Sequence, residues 1–299
     1  MSNINQDKYY SQKFGHEVED IKKVHHHITQ NQGKKRIIWL AGDTTLDNKH
    51  WLEDIRKSCN GYEHIFEQAY SKADLCHWIN HHMQVMDYKG WACINAAVNE
   101  SSLTQRRKKG LLPQDEFIRD NLTEKDLLII SIGGNDLYST LNFKRMTSMI
   151  NFFLTKNPDK FAESEKFQCF VDLFKNQTED YIKSLIAKHK PRKIIVCSLY
   201  HPSIEGKGWA DKLLSLIRYK KNPSKVHKVV EAIFEQATEK IKIPGVAIFP
   251  VKLWELLDWR QPDNFIERVY PSAKGGKELS QGFLSVFNFA VQNQTRQCP

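Results

Sequence analysis

Residues 126–132 read Asp-Leu-Leu-Ile-Ile-Ser-Ile and stop at Gly133-Gly134. So short an apolar run cannot cross a bilayer, which takes about 20 residues in a helix. It is rich in β-branched side chains and is not alternating, so it reads as a strand covered on both faces. Residues 36–41 and 193–199 repeat the pattern, and 91–98 and 246–251 are weaker copies. Residues 62–70 alternate like a strand. Between these runs lie segments with helical spacing, at 48–59, 73–85, 113–120, 141–156, 167–189, 210–219, 224–241 and 276–293. Continuous apolar strands alternating with helices imply a parallel sheet packed on both sides. The expectation is one α/β domain, doubly wound and flavodoxin-like, with three layers around a five-stranded parallel sheet. Such sheets carry their sites beyond the carboxyl ends of the strands. Here that edge holds residues 42–47, 95–101, 133–136 and 200–203.

Ahead of the first strand, residues 1–34 are polar and rich in His, Gln, Asn and Lys. They read as a tail before a domain over 35–299, with a helix over 18–27 if something packs on it. The formal net charge of +9 and a pI of about 9.1 suit a basic soluble protein or a protein partner with an acidic surface. Arg106, Arg107, Lys108 and Lys109 form the densest basic run and the candidate docking patch. No aromatics interleave with it, so nucleic acid is not the expected partner. The first ten residues lack a signal-peptide core, and no run is long enough for a transmembrane segment. Six dispersed cysteines without a CxxC pair suggest reduced thiols, hence an intracellular, cytoplasmic protein, with a cytoskeletal or organellar assembly also open. Composition sets no oligomeric state. His25-His26-His27 reads as a solvated tract. His77 and His81 are four residues apart, but no HExxH motif frames them, so no metal is expected. No GxGxxG and no P-loop occurs, and no cofactor is expected.

Three short blocks sit at the strand ends. Gly42-Asp43-Thr44 follows the first strand, Gly133-Gly134-Asn135-Asp136 follows the strongest one, and Glu267-Arg268-Val269-Tyr270-Pro271 precedes the closing helix. Their order, spacing and context resemble the SGNH (GDSL-type) hydrolases, whose blocks are GDS, GxND and DxxHP. The resemblance covers roughly residues 36–292. It implies an ester hydrolase in which a serine attacks the carbonyl, a histidine takes its proton and an aspartate orients the histidine. The oxyanion is then held by backbone N–H groups and an asparagine amide.

Matched position by position, Thr44 stands where the serine belongs and Asn135 matches the oxyanion asparagine. Asn99 or Glu100 occupies the place of the oxyanion glycine, with a carboxylate that would repel a developing oxyanion. Glu267 replaces the aspartate and Tyr270 the histidine. Gly42, Asp43, Gly134 and Asp136 line the same edge. A phenol with a pKa near 10 is no ordinary general base at neutral pH. The resemblance therefore implies a degenerate member, a pseudoenzyme serving as a binding or structural subunit of a larger assembly. The alternative is an active esterase using Thr44 with a substitute base such as His201, which follows a strand end. The extension Thr45-Leu46-Asp47-Asn48 and the stretch 114–120 mark a divergent subgroup.

Overall fold

The computed structural model describes residues 3–33, 36–139, 162–191 and 193–295. Five parallel strands form the central sheet: β1 (Arg36–Gly42), β4 (Trp91–Asn95), β5 (Leu127–Ser131), β6 (Lys193–Cys197) and β7 (Ala247–Val251), in the spatial order β4-β1-β5-β6-β7. Counting only these five strands, the order is 2-1-3-4-5, that of flavodoxin-like sheets, whose direction of winding reverses between the first and third strands. That switch point falls between β1 and β5, which pair from Ile38–Leu127 to Gly42–Ser131.

Alternation along each strand builds two cores. Ile37, Trp39, Ala41, Leu128, Ile130, Ile194 and Val196 face one side. There they meet α2 (Val18–His26), α5 (Pro113–Asn121), α7 (Thr178–Leu185) and α9 (Ser224–Gln236). Ile38, Leu40, Leu127, Ile129 and Ile195 face the other, against α3 (Leu75–Val85) and the closing α10 (Ala273–Thr295). Each such buried aliphatic side chain contributes about 1.5–3 kcal/mol. Asp126 pins the bottom of the sheet, accepting the Ile37 N–H at 2.7 Å and the Trp39 Nε1–H at 3.3 Å.

Of the polar tail expected over residues 1–34, the described residues 3–33 instead contribute to the first core. Ile4, Tyr9, Tyr10, Ile21, Val24 and Ile28 are all buried there. Helix α2 forms because its Ile21 and Val24 stripe finds a partner, which composition alone hides. Two further expectations change. Residues 48–59 make a single 3-10 turn, Lys49–Trp51, and the short strand β2 (Ile55–Lys57) rather than a helix. The side chain of Asn48 is committed elsewhere, to the Leu75 N–H and the Pro271 carbonyl, and anchors a turn. Residues 62–70 begin as a 3-10 turn, Tyr62–His64, and only Tyr70 enters a strand, β3 (Tyr70–Lys72), antiparallel to β2. The helix expected over 141–156 lies outside the described residues. Among the described residues no helix is long and apolar enough to cross a membrane.

Candidate functional site

Where β1 ends, the chain turns sharply beside β5. A Cβ on Gly42 would lie 1.9 Å from the Ser131 carbonyl oxygen, and its φ is +124°, so only glycine fits. The turn delivers Thr44, whose side chain is almost completely buried, with 5% of the residue exposed. Its Oγ1 accepts two hydrogen bonds, from the Glu100 N–H at 3.0 Å and from Asn135 Nδ2 at 3.2 Å. Asn135 lies in the first turn of α6 (Gly134–Ser139), and its Nδ2 also reaches the Ser101 carbonyl at 3.0 Å. Of the two residues expected at the glycine place, Glu100 turns its N–H toward Thr44, while the Asn99 N–H goes to Asp47 at 2.8 Å. Glu100 has φ +61°, a backbone conformation that glycine adopts freely and a side chain resists. Its carboxylate pairs with Lys13 at 2.8 Å, so the expected repulsion of an oxyanion is partly neutralised.

These donors rest on buried charge. Asp47 and Lys49 form an ion pair at 2.6 Å with both side chains fully excluded from water. The second oxygen of Asp47 accepts the N–H groups of Asn99 and Gly15, tying the loop before Glu100 to the N-terminal segment. Arg106 is not part of a surface patch. Only Arg107, Lys108 and Lys109 of that run are exposed. The Arg106 guanidinium is buried and bidentate to Asp115, at 2.8 and 3.2 Å. It also reaches Ser101 Oγ and the Gly42 carbonyl. Asp136 accepts the N–H groups of Leu103 and Thr104 at the start of α4 (Leu103–Lys109), both at 2.8 Å. Asp43 is buried, and desolvation pushes its carboxyl up to about 7, opposed by the Thr45 N–H and by Arg106. Sequence reasoning noted the extension 45–48 and the stretch containing Asp115, but not the roles of Asp47, Lys49 and Arg106. Lys49 lies between Asn48 and His50 and Arg106 between Gln105 and Arg107, so polar neighbours give no sign of burial.

The other residues expected at the site, Glu267, Tyr270 and His201, make no hydrogen bond with Thr44. Tyr270, in β9 (Tyr270–Pro271), stacks on Trp51 with ring centroids 4.3 Å apart and planes 9° apart. Its hydroxyl accepts the Trp209 Nε1–H at 2.8 Å and makes no hydrogen bond with Thr44. Burial raises its pKa further, and the nearby Glu267 and Glu100 carboxylates add to the rise. Glu267 sits at φ +51°, packed on Gly208. His201 is 4% exposed and lies face to face with the His227 ring at 3.7 Å, with Trp254 at 5.5 Å and nearly parallel. Desolvation and the neighbouring His227 push it down to about 3. The hydrogen bonds of Thr44 include no histidine. Among the described residues no group of three or more His, Cys, Asp or Glu is arranged to hold a metal ion.

No known protein-family pattern matches the chain, and no curated protein does. Solved structures similar to it include Axe2, an acetylxylan esterase from Geobacillus stearothermophilus. That likeness has 16% identity over 84% of this chain and 93% of that one, with a TM-score of 0.43. Phospholipase A1 from Streptomyces albidoflavus is similar at 12% identity over 85% of this chain and 98% of that one, TM-score 0.39. The lipase/acylhydrolase from Enterococcus faecalis is similar at 13% over 83% and 92%, TM-score 0.40. Likeness at this level says nothing of chemistry, which has to be read from the side chains.

Proposed function

We propose that this chain is an SGNH-like protein that has kept the donor half of a hydrolase site and lost the proton-accepting half, and that it serves as a non-catalytic binding or structural subunit. The observation that carries this reading is the hydrogen bonding of Thr44. Its oxygen accepts from Glu100 and Asn135, and no described group accepts its proton. A hydroxyl must lose that proton as it attacks a carbonyl, so a base within hydrogen-bond reach is required. Tyr270 is protonated at neutral pH and is engaged with Trp209, and His201 is buried in a ring stack. The near-complete burial of Thr44 also opposes entry of an acyl group. The threonine methyl adds crowding, since it restricts the side-chain rotamer.

The Glu100 N–H and both Asn135 Nδ2 hydrogens are taken up by Thr44 Oγ1 and the Ser101 carbonyl, so an oxyanion would have to displace Thr44 Oγ1 to use them. A hole alone gives weak acceleration over water. Hydrolysis of p-nitrophenyl acetate at neutral pH should therefore be near background, and Thr44→Ala should change it little. Robust wild-type turnover that Thr44→Ala abolishes would overturn the reading. Turnover also lost in His201→Ala would then identify the base, and turnover gained only in Tyr270→His would show a site lacking nothing else.

A further inference from the structure

His201 and His227 come from different elements, the loop after β6 and helix α9, and meet ring on ring at 3.7 Å and 10°. Trp254 covers the stack at 5.5 Å from His201, and the edge of Trp259 meets His227 at 4.6 Å. The two imidazoles differ in their hydrogen bonds. Tyr219 gives its own proton to the Pro202 carbonyl at 2.6 Å, so its oxygen takes the Nε2–H of His227 at 2.9 Å. By contrast, Nε2 of His201 is buried and has no hydrogen-bond partner. Facing it at 3.7 Å is Glu231 Oε1, one helical turn beyond His227. A buried polar atom without a partner is costly, and this one sits just outside the reach of a half-exposed carboxylate.

The loop that carries His201 is fastened to the loop that carries Glu267 and Tyr270. Arg268 donates from Nε and Nη2 to the Ser203 carbonyl at 3.1 and 3.0 Å, and from Nη2 to the Ile204 carbonyl at 3.0 Å. The Ser203 N–H returns a bond to the Arg268 carbonyl at 2.8 Å, and Tyr200 donates to the Val269 carbonyl. Movement of His201 must therefore be felt at residues 267–270.

We propose that the His201–His227 stack is an acid-sensitive latch, closed while both rings are neutral, that holds the 200–205 loop and through Arg268 the Glu267–Tyr270 loop. A proton added at His201 Nε2 creates a buried charge without a counter-charge, because burial raises the Glu231 carboxyl above its ordinary value and it is already neutral where His201 takes its proton, so the ring is relieved only by leaving the stack for water. His227, the less depressed of the two, is charged first, so the proton on His201 sets like charges in rings 3.7 Å apart. The other charged groups around the latch are Lys228 and Glu235 on α9 and Lys252 beside Glu231, with Arg268 over Tyr219. Burial holds His227 down to about 4 and His201 to about 3, so the latch stays shut through the ordinary histidine range and opens only in acid. This inference does not depend on whether Thr44 is catalytic.

The test is the emission of Trp254, isolated by difference against Trp254→Phe, followed from pH 7 to pH 3 alongside far-ultraviolet circular dichroism. Wild type should show a reversible change with its midpoint well below 6.5 while helical signal persists. The double variant His201→Phe/His227→Phe keeps two stacked rings without a proton site and should lose that change. Protease cleavage within residues 264–272 should rise with the same midpoint in wild type only. A transition of unchanged midpoint in the double variant would overturn the proposal, as would loss of helical signal in step with the emission change.

Discussion

The two halves of the candidate site are held by different forces. Behind the amide donors on Thr44 lie buried ion pairs and charge-assisted hydrogen bonds: Asp47 with Lys49, Arg106 with Asp115, and Asp136 on the start of α4. Around Tyr270 the contacts are rings, with Trp51 on one side and Trp209 on the hydroxyl. The first half cannot lose a member cheaply, because each charge neutralises another inside the protein. The second half can exchange an imidazole for a phenol as long as a flat ring fills the space. On the proposed reading, this difference accounts for a chain that has the glycine turn, the aspartates and Asn135 but a tyrosine where the resemblance expects the base. Donor groups here double as scaffold, whereas a base would support nothing beyond the reaction it serves.

The largest expected effect comes from breaking the charged half. Arg106→Leu leaves Asp115 buried with Tyr181 and the Leu112 N–H as its remaining donors. Removing one partner of such a buried pair costs about 3–5 kcal/mol. Urea unfolding should show that loss as a lower midpoint with little change in slope. A loss within a few tenths of a kcal/mol would mean that the pair is not what holds the Ser101 loop and the Gly42 turn together.

A smaller effect, read against pH, separates the two halves without breaking either. Asp43 is raised to about 7 in the folded protein from an ordinary value of 3.8. Between those two values the folded state binds more protons than the unfolded state. Its contribution is therefore fully present below 3.8 and is lost as pH rises through 7. Asp43→Asn keeps an oxygen for the Thr45 N–H and cannot titrate. The variant should show a flatter stability profile between pH 4 and pH 7. The His201 stack bends the profile the opposite way, since a lowered histidine loses stability as pH falls below 6.5. A profile identical to wild type would mean that Asp43 is not protonated near neutrality.

Sequence carried most of the sheet and half of the site. The runs at 36–41, 126–132 and 193–199 are unambiguous because a strand covered on both faces has to be apolar throughout, and few other structures ask for that. Glu100 was legible only as one of two candidates. What decides between it and Asn99 is a left-handed φ, which leaves its mark in sequence when the residue is glycine and none when it is glutamate. Lys49 and Arg106 were hidden for a related reason. A charged residue is ordinarily solvated, and its burial depends on a partner such as Asp47 or Asp115 that only tertiary structure brings near. The N-terminal segment reads as a polar tail because Ile21, Val24 and Ile28 are few among polar neighbours. A helix needs only one apolar stripe when a sheet face is waiting for it.

The smallest expected effect lies in the aromatic half. Tyr270→Phe removes one hydroxyl and leaves the ring to stack on Trp51. The lost bond is to Trp209, which is 43% exposed, so the indole N–H freed by the change can turn to water instead of remaining unpaired. A typical hydrogen bond contributes about 0.5–1.5 kcal/mol net, and solvent compensation at this position pulls the cost toward the low end or below it. The variant should therefore unfold within about 1 kcal/mol of wild type. Tyr270→Ala, which also removes the stacked ring, should cost distinctly more, because aromatic pairs add about 0.5–1.5 kcal/mol beyond the area they bury. That ordering is what a ring-filling role requires. If Phe instead cost as much as Ala, the phenol oxygen rather than the ring would be what the fold selects. Tyr270 would then be a specific replacement for the histidine, and the contrast between a charged half that cannot change and an aromatic half that can would fail.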